Sequence, residues 1–204
     1  LFKLSKMKQP DLENFVGIHN RKYCDGGQCI RLYKTFMKKK DPEAANIVMG
    51  HNEEDLLGLG TIFSLLAYKK LYDGEYHPKQ CVILEQELKI VIELSAAAPV
   101  NVSCGNSDFY LSVNGYEARM LVHLKEGKLR QYYRNYKDYE FIPGEDTAMP
   151  KSITRYMDKS LKIATTPQTC YTWFNCDEDF LNNEKKQMQY LTHTLPFFLD
   201  NLNK

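Results

Sequence analysis

His51 and Asp55 lie four residues apart in the segment Met49-Gly50-His51-Asn52-Glu53-Glu54-Asp55-Leu56-Leu57. On a helix that spacing projects both side chains from one face. A carboxylate there can ligate a divalent cation, and an imidazole beside it can take a proton from a water. The same spacing is also common between paired residues on helix surfaces, so it does not settle the chemistry. A second pattern lies further on. Between Glu117 and Lys137 stand Arg119, Lys125, Lys128, Arg130, Arg134 and Lys137, against the acids Glu117 and Glu126. Tyr116, Tyr132, Tyr133, Tyr136 and Tyr139 are interleaved with them. Cations that track a phosphate backbone, with rings on which bases stack, are what sequence-tolerant binding of a single strand requires. Alternating aromatic and basic residues also suit any half-exposed strand.

The elements around these residues change character near residue 78. Before it the periodicity is helical. Asp25-Gly26-Gly27 is a turn, and Ile30, Tyr33, Phe36 and Met37 predict a helix over Gln28–Lys39. Asp41-Pro42-Glu43 places an N-cap, a proline at the first helical position and an acid in the first turn of the next helix. Gly50 is expected to interrupt it, and a longer helix is expected from about Asn52 to Leu71. Its Leu56, Leu59 and Ile62 stripe is expected to seat against a sheet. Asp11-Leu12-Glu13 follows Pro10 and reads as the start of a short helix, and Glu53 and Glu54 are expected to face solvent.

After Pro78 the period becomes two. Val82, Leu84, Leu88, Ile90, Ile92 and Leu94 alternate with polar residues around a turn at Glu85-Gln86-Glu87. Asn114-Gly115 predicts a hairpin between Ser107–Val113 and Tyr116–Leu124. Glu126-Gly127 marks a turn before a strand at Lys128–Tyr133. A helix is expected over Pro150–Leu161, a strand over Thr169–Phe174, and a helical tail over Glu178–Asn203 broken at Pro196. Asp177-Glu178-Asp179 suits the first turn of that tail.

Composition narrows the classes. The chain has 204 residues, 43% apolar and 26% charged, with 27 basic and 26 acidic side chains. That is a globular mixture, and its net charge of +1 announces no nucleic-acid or membrane partner in bulk. No apolar run is long enough for a transmembrane helix. The lysines among residues 1–10 make a signal peptide an unexpected reading of that stretch. The first residue is Leu1, and the chain reads as a piece of something longer. Of the six cysteines, Cys24 and Cys29 have four residues between them, and Cys170 and Cys176 five. No second tight pair accompanies them, which argues against structural zinc. Reduced, mostly buried thiols in a cytoplasmic protein are the expectation.

Particular residues carry a resemblance to one family. Asp25-Gly26-Gly27-Gln28-Cys29-Ile30 with Leu32-Tyr33, then Asp41-Pro42, then His51-Asn52-Glu53-Glu54-Asp55 with Leu56 and Leu59, resemble the C-terminal end of an RNase H-like 3′–5′ exonuclease domain of the bacterial YprB type. Downstream, Tyr136-Lys137-Asp138-Tyr139, Pro143, Glu145-Asp146, Lys151-Ser152 and Thr169-Cys170-Tyr171 resemble the module appended to that domain in clostridial members. The resemblance implies an RNase H-like fold and hydrolysis of phosphodiester bonds with Mg²⁺ or Mn²⁺. It implies that Asp55 is one of several acidic metal ligands and that His51 orients or activates the attacking water. The family's earlier motifs, an Asp-x-Glu ending an apolar strand and an aspartate on a later helix, are not found. The chain therefore holds one acidic ligand of the set, and alone it is expected neither to bind a cation tightly nor to catalyse.

The expected fold is α+β: residues 1–77 as the helical C-terminal portion of an RNase H-like exonuclease domain, and 78–204 as a mostly antiparallel β module with C-terminal helices. The expected function is part of a metal-dependent 3′–5′ exonuclease acting on single-stranded DNA or RNA, with His51 and Asp55 catalytic and Asp55 the metal ligand. Arg119, Lys128, Arg130, Tyr132, Tyr133 and Arg134 are the expected nucleic-acid contacts. The alternative is a non-catalytic module that binds nucleic acid or protein.

Overall fold

Capping decides where the first helices begin. The computed structural model describes residues 7–19, 21–23 and 25–202, so Cys24 lies outside the described residues. The Asp25 side chain accepts from the Gln28 N–H at 3.0 Å and starts α2, Gly26–Lys39. Lys40, with φ +55°, ends it in the left-handed conformation. Asp41 then caps α3, Pro42–Ile62, with Pro42 in its first turn. The short α1, Gln9–Phe15, precedes both, and α1 and α2 pack on α3. Gly50 does not interrupt α3 as the sequence suggested. The ring of Tyr23 lies where a Cβ would stand, so the glycine serves a close approach inside a continuous helix. The predicted long helix to Leu71 is divided by a 3-10 turn at Phe63–Leu65 before α4, Leu66–Asp73. No strand lies among the described residues up to Ile62. Of the stripe expected to seat against a sheet, Leu56 and Leu59 are accordingly exposed and Ile62 is half-buried.

Contacts group the chain into two units, Phe2–Leu66 and Ala67–Lys204. The second is antiparallel. Strands β1 (Tyr76–Leu84), β2 (Glu87–Gly105) and β3 (Phe109–His123) form a meander in that order. The β1–β2 turn falls at Glu85-Gln86, where Glu85 takes φ +56°. The Asn114-Gly115 hairpin is not formed. The β2–β3 turn lies at 106–108, because the Asn106 side chain accepts from the Asp108 and Phe109 N–H groups at 2.9 and 3.2 Å. Gly115, at φ +54°, sits mid-strand opposite Ala98, where β2 carries more residues than β3 and the register shifts. The buried side changes parity there, from Phe109, Leu111 and Val113 to Ala118, Met120 and Val122.

Glu126 and Gly127, both at positive φ, turn the chain into β4, Lys128–Tyr132, as predicted. Strand β5 (Tyr139–Ile142) pairs with β6 (Thr147–Pro150) and β7 (Ile163–Ala164), and β4 pairs with β8 (Tyr171–Asn175). The expected helix over 150–161 shrinks to α5, Lys151–Thr154, and a 3-10 turn at Lys159–Leu161. Side chains compete for its backbone. Lys162 Nζ takes the Thr154 carbonyl at 2.6 Å, and Asp158 accepts from the Ser160 N–H at 2.8 Å. Asp177 caps α6, Glu178–Leu181, and Asn183 caps α7, Glu184–Asp200. Pro196 does not break α7. Tyr190, Leu191, Leu195, Pro196 and Phe198 are buried, and that burial outweighs a lost hydrogen bond and ring clash of about 3 kcal/mol. The core of this unit holds the even-numbered β2 residues Leu88, Ile90 and Ile92, their β3 partners Val122, Met120 and Ala118, and the buried residues of α7, which packs on β1 and β4. The architecture is α+β, with helices first and antiparallel sheets and terminal helices after.

Candidate functional site

Two carboxylates of the first unit, Glu13 and Asp55, converge on one guanidinium. Arg21 follows α1 in sequence. Its Nε and Nη2 donate to Glu13 Oε2 and Oε1 at 2.7 and 2.8 Å, a bidentate pair. Its Nη1 lies 2.7 Å from Asp55 Oδ1. Gln9 Nε2 donates to both Glu13 Oε1 and the Asp55 carbonyl at 2.8 Å, tying α1 to α3. Glu13 is 2% exposed, and the Arg21 guanidinium holds its carboxyl below the usual carboxylate range. The two carboxylates in turn raise the Arg21 pKa further above its already high value.

α3 brings His51 and Asp55 together, with His51 Nε2 3.5 Å from Asp55 Oδ2. His51 is 8% exposed, and its Nδ1 is buried with no hydrogen-bond partner among the described residues. Glu54, expected to face solvent, instead accepts from the Lys22 and Tyr23 N–H groups at 2.7 and 3.1 Å. It thereby stitches the loop that carries Arg21 onto α3. Glu53 is exposed.

The donor chemistry of this cluster does not complete a divalent-cation site. Asp55 is its one partly accessible carboxylate near His51, and one of its oxygens is already paired with a guanidinium. Glu13 is spent on the same guanidinium. No group of three His, Cys, Asp or Glu side chains among the described residues could hold a metal ion. Asp55 is the ligand this segment could contribute, and further carboxylates would have to come from outside the described residues. Cysteine chemistry fares no better: burial pushes the Cys81 thiol up to about 12, and those of Cys170 and Cys176 up to about 11.

Sequence reasoning missed Glu13 and Arg21. Asp11-Leu12-Glu13 does open a short helix, as its position after Pro10 implied. Nothing in the spacing said that the third of these residues turns inward to meet a cation across a loop. Glu13 is the buried residue of α1, a burial that a charged group sustains only when paired.

The basic and aromatic stretch is divided by the fold. Lys128, Arg130 and Tyr132 alternate along β4 and line one cleft with Trp173. The other three point elsewhere. Arg119 on β3 donates to Glu117 Oε1 at 2.5 Å. Tyr133 stacks on Tyr139, with centroids 5.2 Å apart, and shares a hydrogen bond with Thr172. Arg134 donates to Tyr72 Oη and lies 3.6 Å from Asp200. Tyr132 itself is 6% exposed and stacks on Phe197. Most of these tyrosines therefore serve packing, while exposed Tyr116 does not.

No helix among the described residues is long and apolar enough to cross a membrane. A model of the RNase H superfamily matches residues 3–67. That span contains α1, α2, α3 and the whole Glu13–Arg21–Asp55 cluster. No curated protein and no solved structure matches the chain. Over residues 3–67 the chain is thus similar to the RNase H superfamily, a likeness that suggests nuclease-like, nucleic-acid-related function.

Proposed function

We propose that this segment is part of a metal-dependent 3′–5′ exonuclease of the YprB type, acting on single-stranded DNA or RNA in the cytoplasm. The observation that carries the reading is that the superfamily match spans α3, the helix on which His51 and Asp55 share one face. In this reading Asp55 supplies one carboxylate toward Mg²⁺ or Mn²⁺, and His51 stands beside it to handle a proton. Among the described residues the remaining ligands are not assembled, and in this reading the 204-residue chain is not active alone. The test is Asp55→Asn in the native gene product, assayed on a 3′-labelled single strand. Turnover falls by orders of magnitude while folding is kept. Digestion at the unaltered rate by a folded variant overturns the assignment.

A second reading, a module that binds nucleic acid or protein without chemistry, is favoured by the Arg21–Asp55 pair at 2.7 Å, which neutralises the carboxylate. If the native product shows no nuclease activity with either cation yet retains a shift of a labelled oligonucleotide, this second reading replaces the first.

A further inference from the structure

Strand β4 places Lys128, Arg130 and Tyr132 on one face, and its partner β8 places Tyr171 and Trp173 on the same side. Arg130 pairs across the ladder with Trp173. Its guanidinium carbon sits 4.6 Å from the ring centroids of both Trp173 and Tyr171, so the planar cation lies against two rings. Those rings are anchored at their polar ends by one residue. Tyr171 Oη donates to Asp146 Oδ1 at 2.5 Å, and Trp173 Nε1 donates to the Asp146 carbonyl at 2.9 Å. Asp146 holds this position at φ +48°. Ring and guanidinium orientations are thus fixed by the fold rather than left to solvent.

This cluster opens onto a cleft of about 330 Å³. Tyr132, Val122 and Phe198 give it an apolar wall, and Trp173 forms its edge. His123, Lys125, Lys128 and Arg130 surround it, with Asp108 the single acid. Lys125 Nζ stands 5.6 Å from the centre of the Trp173 ring. Arg130 lines the cleft, where an anion would meet its guanidinium. The volume is at the small end of ligand sites, roughly 300–1,000 Å³. An apolar aromatic wall bounded by several cations and one acceptor matches a flat heterocycle joined to a phosphate.

We propose that this cleft binds one nucleotide unit, its base against the Tyr132–Phe198–Trp173 wall and its phosphate on Lys125, Lys128 and Arg130. The unit comes either from a free mononucleotide or from a residue of a single strand. The site lies wholly within the 67–204 unit and stands whether or not residues 3–67 belong to an exonuclease. Of its residues, His123, Lys125 and Trp173 were not among the expected contacts, whereas Arg119, Tyr133 and Arg134 are left out.

Trp173 is the one tryptophan of the chain, so its emission reports on this cleft directly. The 204-residue chain is titrated at low salt with thymidine monophosphate, thymidine, inorganic phosphate and a thymidine hexanucleotide. Thymidine monophosphate or the hexanucleotide quenches Trp173 saturably, and thymidine and phosphate do so far more weakly. Lys125→Ala and Lys128→Ala, both at exposed positions, weaken the response roughly tenfold each, the scale of one charge-assisted hydrogen bond. Tighter binding of the hexanucleotide assigns the site to a strand. Tighter binding of the mononucleotide assigns it to a free nucleotide and counts against strand binding by this unit. No saturable change with either probe, in a chain with native circular dichroism, overturns the proposal. So does phosphate or thymidine binding as tightly as the nucleotide, or lysine variants that bind as the wild type does.

Discussion

Three glycines of α3 offer a test of the Glu13 cluster in which the helix acts as its own control. Replacing an exposed mid-helix glycine by alanine normally stabilises by about 1 kcal/mol, because the chain loses less backbone freedom on folding. At Gly60 nothing lies within 4 Å of the position a Cβ would take, so Gly60→Ala should show that gain. At Gly58 the added carbon would lie closer than 3.0 Å to the Glu13 carboxylate. That carboxylate has nowhere cheap to go. It is 2% exposed, clamped by two Arg21 bonds, and held by Gln9. Disrupting a buried, paired charge costs about 3–5 kcal/mol. Set against the propensity gain, Gly58→Ala should be destabilising by about 2–4 kcal/mol. Gly50→Ala should fall between the two, since its obstacle is the ring of half-buried Tyr23, which can turn outward. Urea unfolding followed by helical circular dichroism measures each midpoint. In a Glu13→Ala background the Gly58→Ala penalty should vanish, which ties it to the carboxylate. If Gly58→Ala raises the midpoint as Gly60→Ala does, Glu13 is not seated against α3 and the cluster is wrongly drawn.

The same contacts set two further outcomes. Because Arg21 lowers the Glu13 pKa below its ordinary 4.5, the unfolded state binds the proton more readily than the folded state. The contribution is therefore full above that ordinary value and is lost as pH falls through the lower folded one. Arg21→Gln should flatten this acid loss in urea midpoints measured from about pH 7 down to about pH 3, and an unchanged acid limb refutes the coupling. Calorimetric titration of the 204-residue chain with Mn²⁺ should show no micromolar site, since hard divalent cations take about six oxygen ligands and the cluster has one carboxylate oxygen to spare. A stoichiometric micromolar site would contradict this donor accounting.

Legibility in the sequence tracks how local each cause is. The caps Asp25, Asp41 and Asp177 act on N–H groups two or three residues away. Asp41 was legible as a cap from residue type and position, whereas Asp25 read as part of a turn and Asp177 as part of an acidic first turn. The Glu126-Gly127 turn and the His51–Asp55 spacing are equally local. Asn114-Gly115 shows the limit. The dipeptide supplies a positive φ, as its composition promises, but the surplus residues of β2 opposite it make that conformation a mid-strand irregularity instead of a hairpin. Pro196 fails in the same way: it is buried, and the next residue, Phe197, stacks on Tyr132 of a distant strand, so what holds this part of α7 lies far away in sequence. The candidate sites divide along the same line. Lys128, Arg130 and Tyr132 share a face by the two-residue period, so that part of the cleft was readable. Trp173 joins them only through the β4–β8 ladder, which pairs it with Arg130, forty-three positions away. Arg21 reaches Glu13 across a loop and Asp55 across thirty-four positions. No periodicity encodes either contact, and the Arg21–Asp55 pair is what distinguishes a carboxylate free to meet a cation from one already neutralised.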